Sequence, residues 1–423
     1  MRHIRTTAGL LAALLLGGAA QAATIRLSCG AVGQELELCR SAAQNWAQRT
    51  GHTVEVVTTP ADANERLTLY RRLLEARSDQ VDVFQIDVVW PGLLERHLLD
   101  LKPYSKGIEQ QHFGGVVSNN TVNGRLLAMP WFIDAGLLYY RRDLLAKYNL
   151  KPPRTWDDLV HAAKTVQAGE RAAGHTQMWG YVWQGRAYEG LTCNALEWLI
   201  SHGAGTVVDV SGIVTVRNSQ AVKALQMAAS WVGTISPDAV LSYGEEDARR
   251  VFQAGQAVFM RNWPYAWSLA QAADSPVKGK VGITVLPMGT GPGARFAATL
   301  GGQQLAVSKY SQHAALAAEL VMYLTSAEVQ KERAISGSFN PTLWPLYGDR
   351  DVLKAAPFMG ELYGVFAFAV GRPAGPTGPR YQQVSEAFWN TAHQVLSRKL
   401  PAAEALNRLE VELARVGRGG KWD

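Results

Sequence analysis

The sequence predicts an α/β protein built from two large lobes, and three observations lead to this fold class. The chain of 423 residues is too long for one ordinary hydrophobic core and too short for a long repeat array. Hydrophobic residues make up 47% and charged residues 18%, a composition that supports a substantial core and excludes a disordered or fibrous chain. Segments with strand and helix patterns alternate, and this order is typical of a parallel α/β sheet.

The amino-terminal part shows this alternation most clearly. Its predicted elements are a strand at 25–28, a helix closed by Gly51, a strand at 54–57, a helix from Asp62 to about Arg77, and a strand at 81–89. Later elements include a helix capped by Thr155, a strand at 305–308 and a helix at 313–325. The pattern pauses at Met129-Pro130 and near Gly301-Gly302, and we interpret both pauses as crossings between lobes.

The first 22 residues are expected to be a secretory signal. Two arginines form a positive start, residues 10–16 an apolar run, and residues 20–22 a small-residue cleavage pattern. The apolar run is shorter than the roughly 20 residues that a membrane span needs. The protein is therefore predicted to be soluble and periplasmic, with cleavage near Ala22. A lipoprotein anchor at Cys29 is the competing interpretation.

Charge and cysteine content narrow the possible partners. The formal net charge is +6, but the basic residues are scattered among acidic ones rather than concentrated, so no nucleic-acid partner is predicted. An exported chain with three cysteines can form one disulfide. Cys29 and Cys39 are the only close pair, and a bridge and two buried thiols are equally compatible with the sequence. Cys193 is expected in the core.

Catalytic, metal and cofactor motifs are missing from the sequence. It contains no His-Glu-x-x-His, no Cys-x-x-Cys and no phosphate-binding loop ending in Gly-Lys-Ser/Thr. A Gly-x-Ser-x-Gly nucleophile elbow is also missing. The sequence therefore predicts no catalytic residue, no metal site and no cofactor, although a triad scattered along the chain would escape such a search.

Aromatic residues stand beside charged residues at the ends of predicted strands and in loops. The chain has 13 Trp, and the richest segment, 261–267, places three large rings around a proline next to an arginine. Sugars have apolar faces that stack on such rings and hydroxyls that require carboxylates, amides and guanidinium groups as partners. For any single Trp a place in the core is the safer interpretation, but the segment 261–267 favours a pocket wall.

Three stretches resemble one protein family. Residues 129–159 (beginning MPWFID), 179–199 (beginning WGYVWQGRAYEG) and 261–287 (beginning RNWPYAW) are similar to extracellular solute-binding proteins of ABC sugar importers, and most similar to those that bind trehalose or maltose. The resemblance implies a periplasmic-binding-protein-like fold, with a hinge and a ligand cleft between the lobes. It implies that lobe I comprises 23–130 and 301–345, and lobe II 131–300 and 346–423.

The resemblance also implies a function and a site. The protein would bind an α-glucose disaccharide as a monomer, without catalysis, and deliver it to the membrane subunits of an ABC permease. The expected sugar contacts are Glu35, Arg66, Asp87, Phe132, Asp134, Trp263, Tyr265, Gly302, Gln303 and Arg372. Carboxylates would accept hydrogen bonds from hydroxyls, the two arginines would donate as planar forks, and Trp263 with Tyr265 would stack on a glucose face.

Two positions depart from the family pattern. Phe132 stands where relatives have Tyr and lacks its hydroxyl, and Gln303 stands where they have Trp and cannot stack in the same way. Trp344 is considered as a partial replacement for the lost ring. These changes keep other ligands open, namely sucrose, a longer maltodextrin or a glycerol-linked sugar. From another class, a secreted glycoside hydrolase using Asp87 and Asp134 is the alternative.

Overall fold

The computed structural model describes residues 22–367 and 369–422. Residues 1–21 of the predicted signal lie outside this part, so the signal prediction is not addressed by the fold. Among the described residues, no helix combines the length and the apolar character that a membrane crossing requires.

Eleven strands occur in the described residues. They are β1 (Thr24–Cys29), β2 (Thr53–Thr58), β3 (Val83–Asp87), β4 (Thr121–Val122), β5 (Arg125–Leu126), β6 (Met129–Ala135), β7 (Leu137–Arg141), β8 (Trp179–Val182), β9 (Ala257–Asn262), β10 (Val281–Thr284) and β11 (Leu300–Val307).

The helices in the same part of the chain include several that are only one turn long. They are α1 (Glu35–Thr50), α2 (Ala63–Glu75), α3 (Pro91–Leu94), α4 (Lys102–Ser105), α5 (Gly114–Asn119), α6 (Arg142–Lys147), α7 (Trp156–Ala172), α8 (Glu189–Ser201), α9 (Ser219–Trp231), α10 (Glu245–Gln253), α11 (Ala266–Ala270), α12 (Ala314–Leu324), α13 (Ala327–Gly337), α14 (Arg350–Ala355), α15 (Phe358–Glu361), α16 (Tyr363–Ala367), α17 (Ala374–Thr377), α18 (Tyr381–Leu396) and α19 (Ala402–Val416).

Two large sheets define the two lobes. The five-stranded sheet of lobe I has the order β2-β1-β3-β11-β6, and the four-stranded sheet of lobe II has the order β10-β7-β9-β8. Each sheet is covered by helices, as expected for α/β layers. The predicted α/β fold of two lobes is therefore confirmed.

Neither large sheet is purely parallel, and on this point the prediction is wrong. In lobe I, β1 runs parallel to β2 and β3, but β11 is antiparallel to both β3 and β6. In lobe II only β8 and β9 are parallel. The helix–strand alternation describes β1 to β3, where helices connect parallel neighbours. It does not describe β11, which joins this sheet after the chain has passed through the other lobe.

The predicted pauses at Pro130 and at Gly301-Gly302 lie inside strands β6 and β11. Pro130 is tolerated because β6 is an edge strand, where one missing backbone donor costs little. The pairing of β6 with β11 shifts register between Gln303 and Gln304. Gly302 has a φ of 110°, which is strained for any other residue. Pro130 and Gly302 therefore mark an irregular part of the β6–β11 pairing, and they do not mark the crossing between the lobes.

The crossing between the lobes comes after β6, so the boundary expected between 130 and 131 lies within that strand. The carboxy-terminal part also divides differently from the expected segment 346–423. Helices α14 and α16 contact α13 and β6 of lobe I, whereas α18 and α19 contact α8 and α9 of lobe II. The sheet register decides these borders, because it determines which strand a segment pairs with.

Helix caps follow the sequence closely. Asp62 accepts hydrogen bonds from the backbone of Asn64 and Glu65 and so begins α2. Thr155 and Asp158 form a reciprocal capping box at the start of α7. Gly51 ends α1 in the left-handed conformation, with a φ of 76°. These residues fix where α1 ends and where α2 and α7 begin. Helices α1 and α2 both lie beside the cavity described below.

The cysteines are resolved by the structure. Cys29 and Cys39 form a disulfide that joins the end of β1 to α1, so of the two possibilities left open by the sequence the bridge is the one found. Cys193 is a free, buried thiol, as expected.

Candidate functional site

A cavity lined by residues of both lobes lies between them. All ten residues expected to contact ligand line it, although they come from seven separated stretches of chain. The lining consists of Val32, Glu35, Ala61, Ala63, Arg66, Asp87, Phe132, Asp134, Tyr188, Glu189, Gly190, Cys193, Glu245, Trp263, Tyr265, Gly301, Gly302, Gln303, Phe339 and Arg372.

Glu35 is the first residue of α1 and points to the cavity from lobe I. Its carboxylate accepts a hydrogen bond of 2.5 Å from the side-chain amide of Gln85 in β3. Burial raises the pKa of Glu35 above its ordinary value, and the charges of Arg66 and Arg333 oppose this rise. One carboxylate oxygen of Glu35 is thus engaged by the protein.

Asp134 lies near the end of β6 and is only 8% exposed. Its Oδ1 has no hydrogen-bond partner within the described residues. Burial and the nearby Glu35 raise the pKa of Asp134 to about 8. At neutral pH the group is therefore a carboxylic acid that donates as well as accepts, whereas the sequence suggested an acceptor alone.

Asp87 and Arg372 form a paired corner of the cavity together with Glu189. The Nη2 of Arg372 donates to Asp87 at 2.6 Å, and its Nη1 donates to Glu189 at 2.7 Å. Glu189 also accepts hydrogen bonds from Tyr381 and Ser385. The expectation that Arg372 offers a free fork is therefore wrong, because both terminal nitrogens are bound to protein carboxylates. Its buried Nε has no partner among the described residues.

Arg66 reaches the cavity from α2, and its guanidinium lies 5.6 Å from the centroid of the Trp90 ring. It makes long contacts to the Pro60 carbonyl at 3.4 Å and to the Gln303 side-chain oxygen at 3.5 Å. The buried Nε of Arg66 has no partner in the described chain. Gln303, which replaces an expected Trp, is thus oriented by an arginine and presents an amide to the cavity.

Trp263 forms the aromatic surface of lobe II. The guanidinium of Arg261 stacks 3.8 Å from its ring centroid, and its indole nitrogen donates to Glu245 at 3.3 Å. Arg261 is itself held by an ion pair with buried Glu197. Tyr265 also lines the cavity, and its hydroxyl donates to Glu246 at 2.7 Å. Both rings are therefore fixed by polar partners at their edges, which leaves ring faces for stacking.

Phe132 and Phe339 form a second aromatic wall on the lobe I side. Their rings pack edge to face with centroids 4.9 Å apart. The backbone of Gly302 lies so near to Phe132 that a Cβ there would approach the Phe132 carbonyl oxygen to 2.3 Å. Gly302 therefore contributes close packing and a backbone surface. Trp344 does not line the cavity and is 63% exposed, so it does not replace the missing ring.

Ten lining residues are outside the predicted set, and four of these have aromatic or acidic side chains: Tyr188, Glu189, Glu245 and Phe339. Glu189 and Glu245 are the first residues of α8 and α10, where acidic side chains favour the positive end of a helix. An acid directly after a loop was thus an available signal, but it does not distinguish a ligand-facing acid from a helix-stabilising one. Tyr188 lies in the Trp- and Tyr-rich segment already noted at 179–188.

Direct contacts join the lobes at the mouth of the cavity. Arg186 of lobe II donates to Asp62 at 2.5 Å, and the guanidinium also lies 4.4 Å from the Tyr188 ring centroid. The backbone nitrogen of Glu189 donates to the side-chain oxygen of Asn64 at 3.1 Å. The amino-terminal end of α2 is therefore bound to the loop that precedes α8.

No group of three or more His, Cys, Asp or Glu side chains within the described residues is placed to hold a metal ion.

The chain is similar to known binding proteins. Residues 37–331 match the family described as bacterial extracellular solute-binding protein. A "Probable ABC transporter-binding protein" of Deinococcus radiodurans is 50% identical over 99% of this chain and 100% of its own length. The maltodextrin-binding protein MdxE of Bacillus subtilis is 26% identical over 54% of this chain and 52% of its own length.

Solved structures agree with this relationship. Maltose-bound T. maritima MalE3 superposes with a TM-score of 0.89 and 42% identity, covering 93% of this chain and 100% of its own. The Streptomyces glaucescens GacH receptor, at 21% identity and a TM-score of 0.83 over 95% of this chain and 100% of its own, shows the shared fold. The chain belongs to the bacterial extracellular solute-binding protein family.

Proposed function

We propose that this protein is the periplasmic substrate-binding component of an ABC transporter and that it binds an α-glucose disaccharide, trehalose or maltose. The observation that carries the proposal is the cavity between the lobes, in which aromatic walls face each other beside unpartnered polar atoms. Trp263 of lobe II and Phe132 and Phe339 of lobe I line the cavity. Asp134 and Arg66 line it as well, and each has a buried polar atom without a partner among the described residues. Sugars need this combination of flat apolar surface and planar hydrogen-bonding groups.

The comparisons support a sugar of this size. The maltose-bound MalE3 protein shares 42% identity with this chain and almost its whole length. MdxE, a more distant relative, is named for maltodextrin. Phe132 and Gln303 distinguish the wall of this cavity from the family pattern, and for this reason sucrose, longer maltodextrins and glycerol-linked sugars belong in the same ligand screen.

Lobe closure is part of the proposal. Arg372 binds Asp87 of lobe I and Glu189 of lobe II at once, and Arg186 binds Asp62 across the cavity mouth. We expect these contacts to form when the lobes close around ligand and to break on opening, in the manner of hinge-bending binding proteins. The closed monomer would then deliver the sugar to the membrane subunits of its permease.

Isothermal titration calorimetry tests the ligand. Purified protein is titrated with trehalose, maltose, sucrose and maltodextrins, and heat is expected with trehalose or maltose. Absence of heat with every sugar, in a sample shown to be folded, would refute the proposal. Incubation with maltose and assay of released glucose tests the glycoside hydrolase alternative, and release of glucose would replace binding by catalysis.

A further inference from the structure

A buried arginine that no motif indicated lies directly behind the aromatic wall of lobe I. Arg333, on α13, is 2% exposed. Its guanidinium lies 3.9 Å from the ring centroid of Trp131, 4.6 Å from that of Phe339 and 5.3 Å from that of Phe132. Because Phe132 and Phe339 line the cavity, only one layer of rings separates this cation from a ligand.

Arg333 differs from the other buried arginines at the cavity in its partners. Arg261 is paired with Glu197, and Arg372 with Asp87 and Glu189. The Nε, Nη1 and Nη2 atoms of Arg333 make no hydrogen bond within residues 22–367 and 369–422. Burying a charge without a hydrogen-bond partner is costly, and stacking on aromatic rings offsets only part of this cost. A cation kept at this cost suggests a role beyond packing.

Three carboxyl groups favour the charged form of Arg333: Glu35 and Asp134 line the ligand cavity, and Glu332 is its neighbour on α13. Burial nevertheless lowers the pKa of Arg333 to about 10. In return, the Arg333 charge holds down the pKa values of Glu35 and Asp134, which burial raises. Asp134 has a cavity-lining oxygen, Oδ1, without a partner in the described chain.

Charged groups on several elements act on the carboxyl groups of Asp134 and Glu35. The groups that act on Asp134 are Glu35 on α1, Asp87 on β3, Arg261 on β9 and Arg333 on α13, and those that act on Glu35 are Arg66 on α2 and Arg333. Tyr139 and Tyr347 also face Asp134, and both keep their protons because burial raises their pKa values. Arg333 acts on both carboxyl groups, Arg66 acts on Glu35, and Arg261 acts on Asp134.

We propose that Arg333 is a positioning residue for ligand specificity, whose charge maintains one negative charge in the Glu35–Asp134 pair. The pair then presents one accepting carboxylate and one donating carboxylic acid to the sugar. This donor–acceptor pattern selects the hydroxyl arrangement that the corner binds. The inference rests on the proposed sugar-binding function, but the interaction of Arg333 with Glu35 and Asp134 also applies to the ligand-free protein.

Substitution of Arg333 separates charge from shape. R333M keeps an unbranched side chain between the rings and removes the charge, whereas R333K keeps the charge. In R333M the apparent pKa that governs trehalose or maltose affinity should rise by about 1 unit or more, and affinity near neutral pH should fall about tenfold. R333K should retain the wild-type pH profile. An R333M profile that coincides with wild type, or an R333K profile that shifts as far as that of R333M, would overturn the proposal.

A second measurement needs neither ligand nor an Arg333 variant. E35Q and D134N each leave one cavity carboxyl group that faces Arg333, whereas the double variant leaves only Glu332 on α13. Urea unfolding should therefore show that the double variant loses more stability than the sum of the single variants. Additive losses would contradict the role of Arg333. If neither trehalose nor maltose binds the wild type, the proposed function fails, while this cycle still decides the electrostatic coupling.

Discussion

Two corners of the same cavity differ in whether their buried charged groups have partners within the protein. In the first, Arg372 binds both Asp87 and Glu189, and Tyr381 and Ser385 satisfy the remaining oxygens. In the second, Asp134 has an oxygen without a partner, and Arg333 has three such nitrogens, counted over the described residues. In the first corner the buried cation is paired with carboxylates of the protein, and only its Nε lacks a partner among the described residues. In the second corner the buried cation forms no such pair.

The difference separates a role in assembly from a role in recognition. A satisfied buried ion pair that spans both lobes fixes how the lobes meet, and removing one partner strands the others. Buried polar groups without partners in the protein can form hydrogen bonds with ligand hydroxyls. We therefore expect substitutions in the paired corner to act mainly on stability, and substitutions in the open corner to act mainly on binding and on its pH dependence.

The largest expected effect is on the paired corner. R372M leaves Asp87 and Glu189 buried without their cation, and we expect a loss of about 3 to 5 kcal/mol in the free energy of unfolding. Urea denaturation of the ligand-free protein measures it. R26M is the control, because Arg26 makes an exposed pair with Glu55 and should change stability by less than about 1 kcal/mol. Equal effects of the two variants would remove the distinction between the corners.

Trp263 tests the ligand side of the comparison. W263A should weaken binding of trehalose or maltose by about 1 to 3 kcal/mol, because it removes a cavity ring that is fixed for stacking. Titration calorimetry measures the change. W344A removes a ring of the same type that is 63% exposed and outside the cavity, and it should leave the dissociation constant unchanged. An unchanged constant in W263A would assign that ring to packing alone.

Asp134 should impose a pH dependence on stability. Its pKa of about 8 in the folded protein exceeds the ordinary value of 3.8, so between these values the folded state holds a proton that the unfolded chain has released. Its contribution to the free energy of unfolding therefore falls as pH rises from about 4 to about 8, and then levels off. The side-chain amide of D134N does not titrate in this pH range. The wild type should therefore lose stability relative to D134N as the pH rises from about 4 to about 8.

A series of urea unfolding curves at different pH values measures the stability of wild type and D134N in parallel. D143N provides the comparison for a carboxyl group with the opposite shift, since a hydrogen bond from Arg141 lowers the pKa of Asp143 against the effect of burial. A constant difference between wild type and D134N at every pH would show that Asp134 is ionised in the folded state.

The smallest expected effect concerns the cavity mouth. Arg186 is 42% exposed, so R186A should cost less than about 1 kcal/mol in stability. Because this ion pair joins the lobes, we expect its loss to speed sugar dissociation by severalfold and to leave association nearly unchanged. Stopped-flow fluorescence measures both rates. A change confined to association would mean that the pair acts before the lobes close.

Local signals predicted much of the fold correctly. The caps at Asp62, Thr155 and Gly51 lie where the sequence indicates, because each depends on contacts within one turn of helix. The mixed direction of the sheets and the bulge at Gln303 were not predicted. Both depend on pairing between segments more than 110 residues apart, and local periodicity carries no information about such pairing.

The sequence by itself determined the two α/β lobes, the helix caps and the residue types needed for sugar recognition, because composition and short-range patterns encode them. Only the tertiary structure decided which charges are neutralised. Arg372 is predicted as a free fork but is bound by two carboxylates, and Arg333 has no motif but acts on both Glu35 and Asp134. Burial and distance control charge interactions, and both arise only when remote segments pack together.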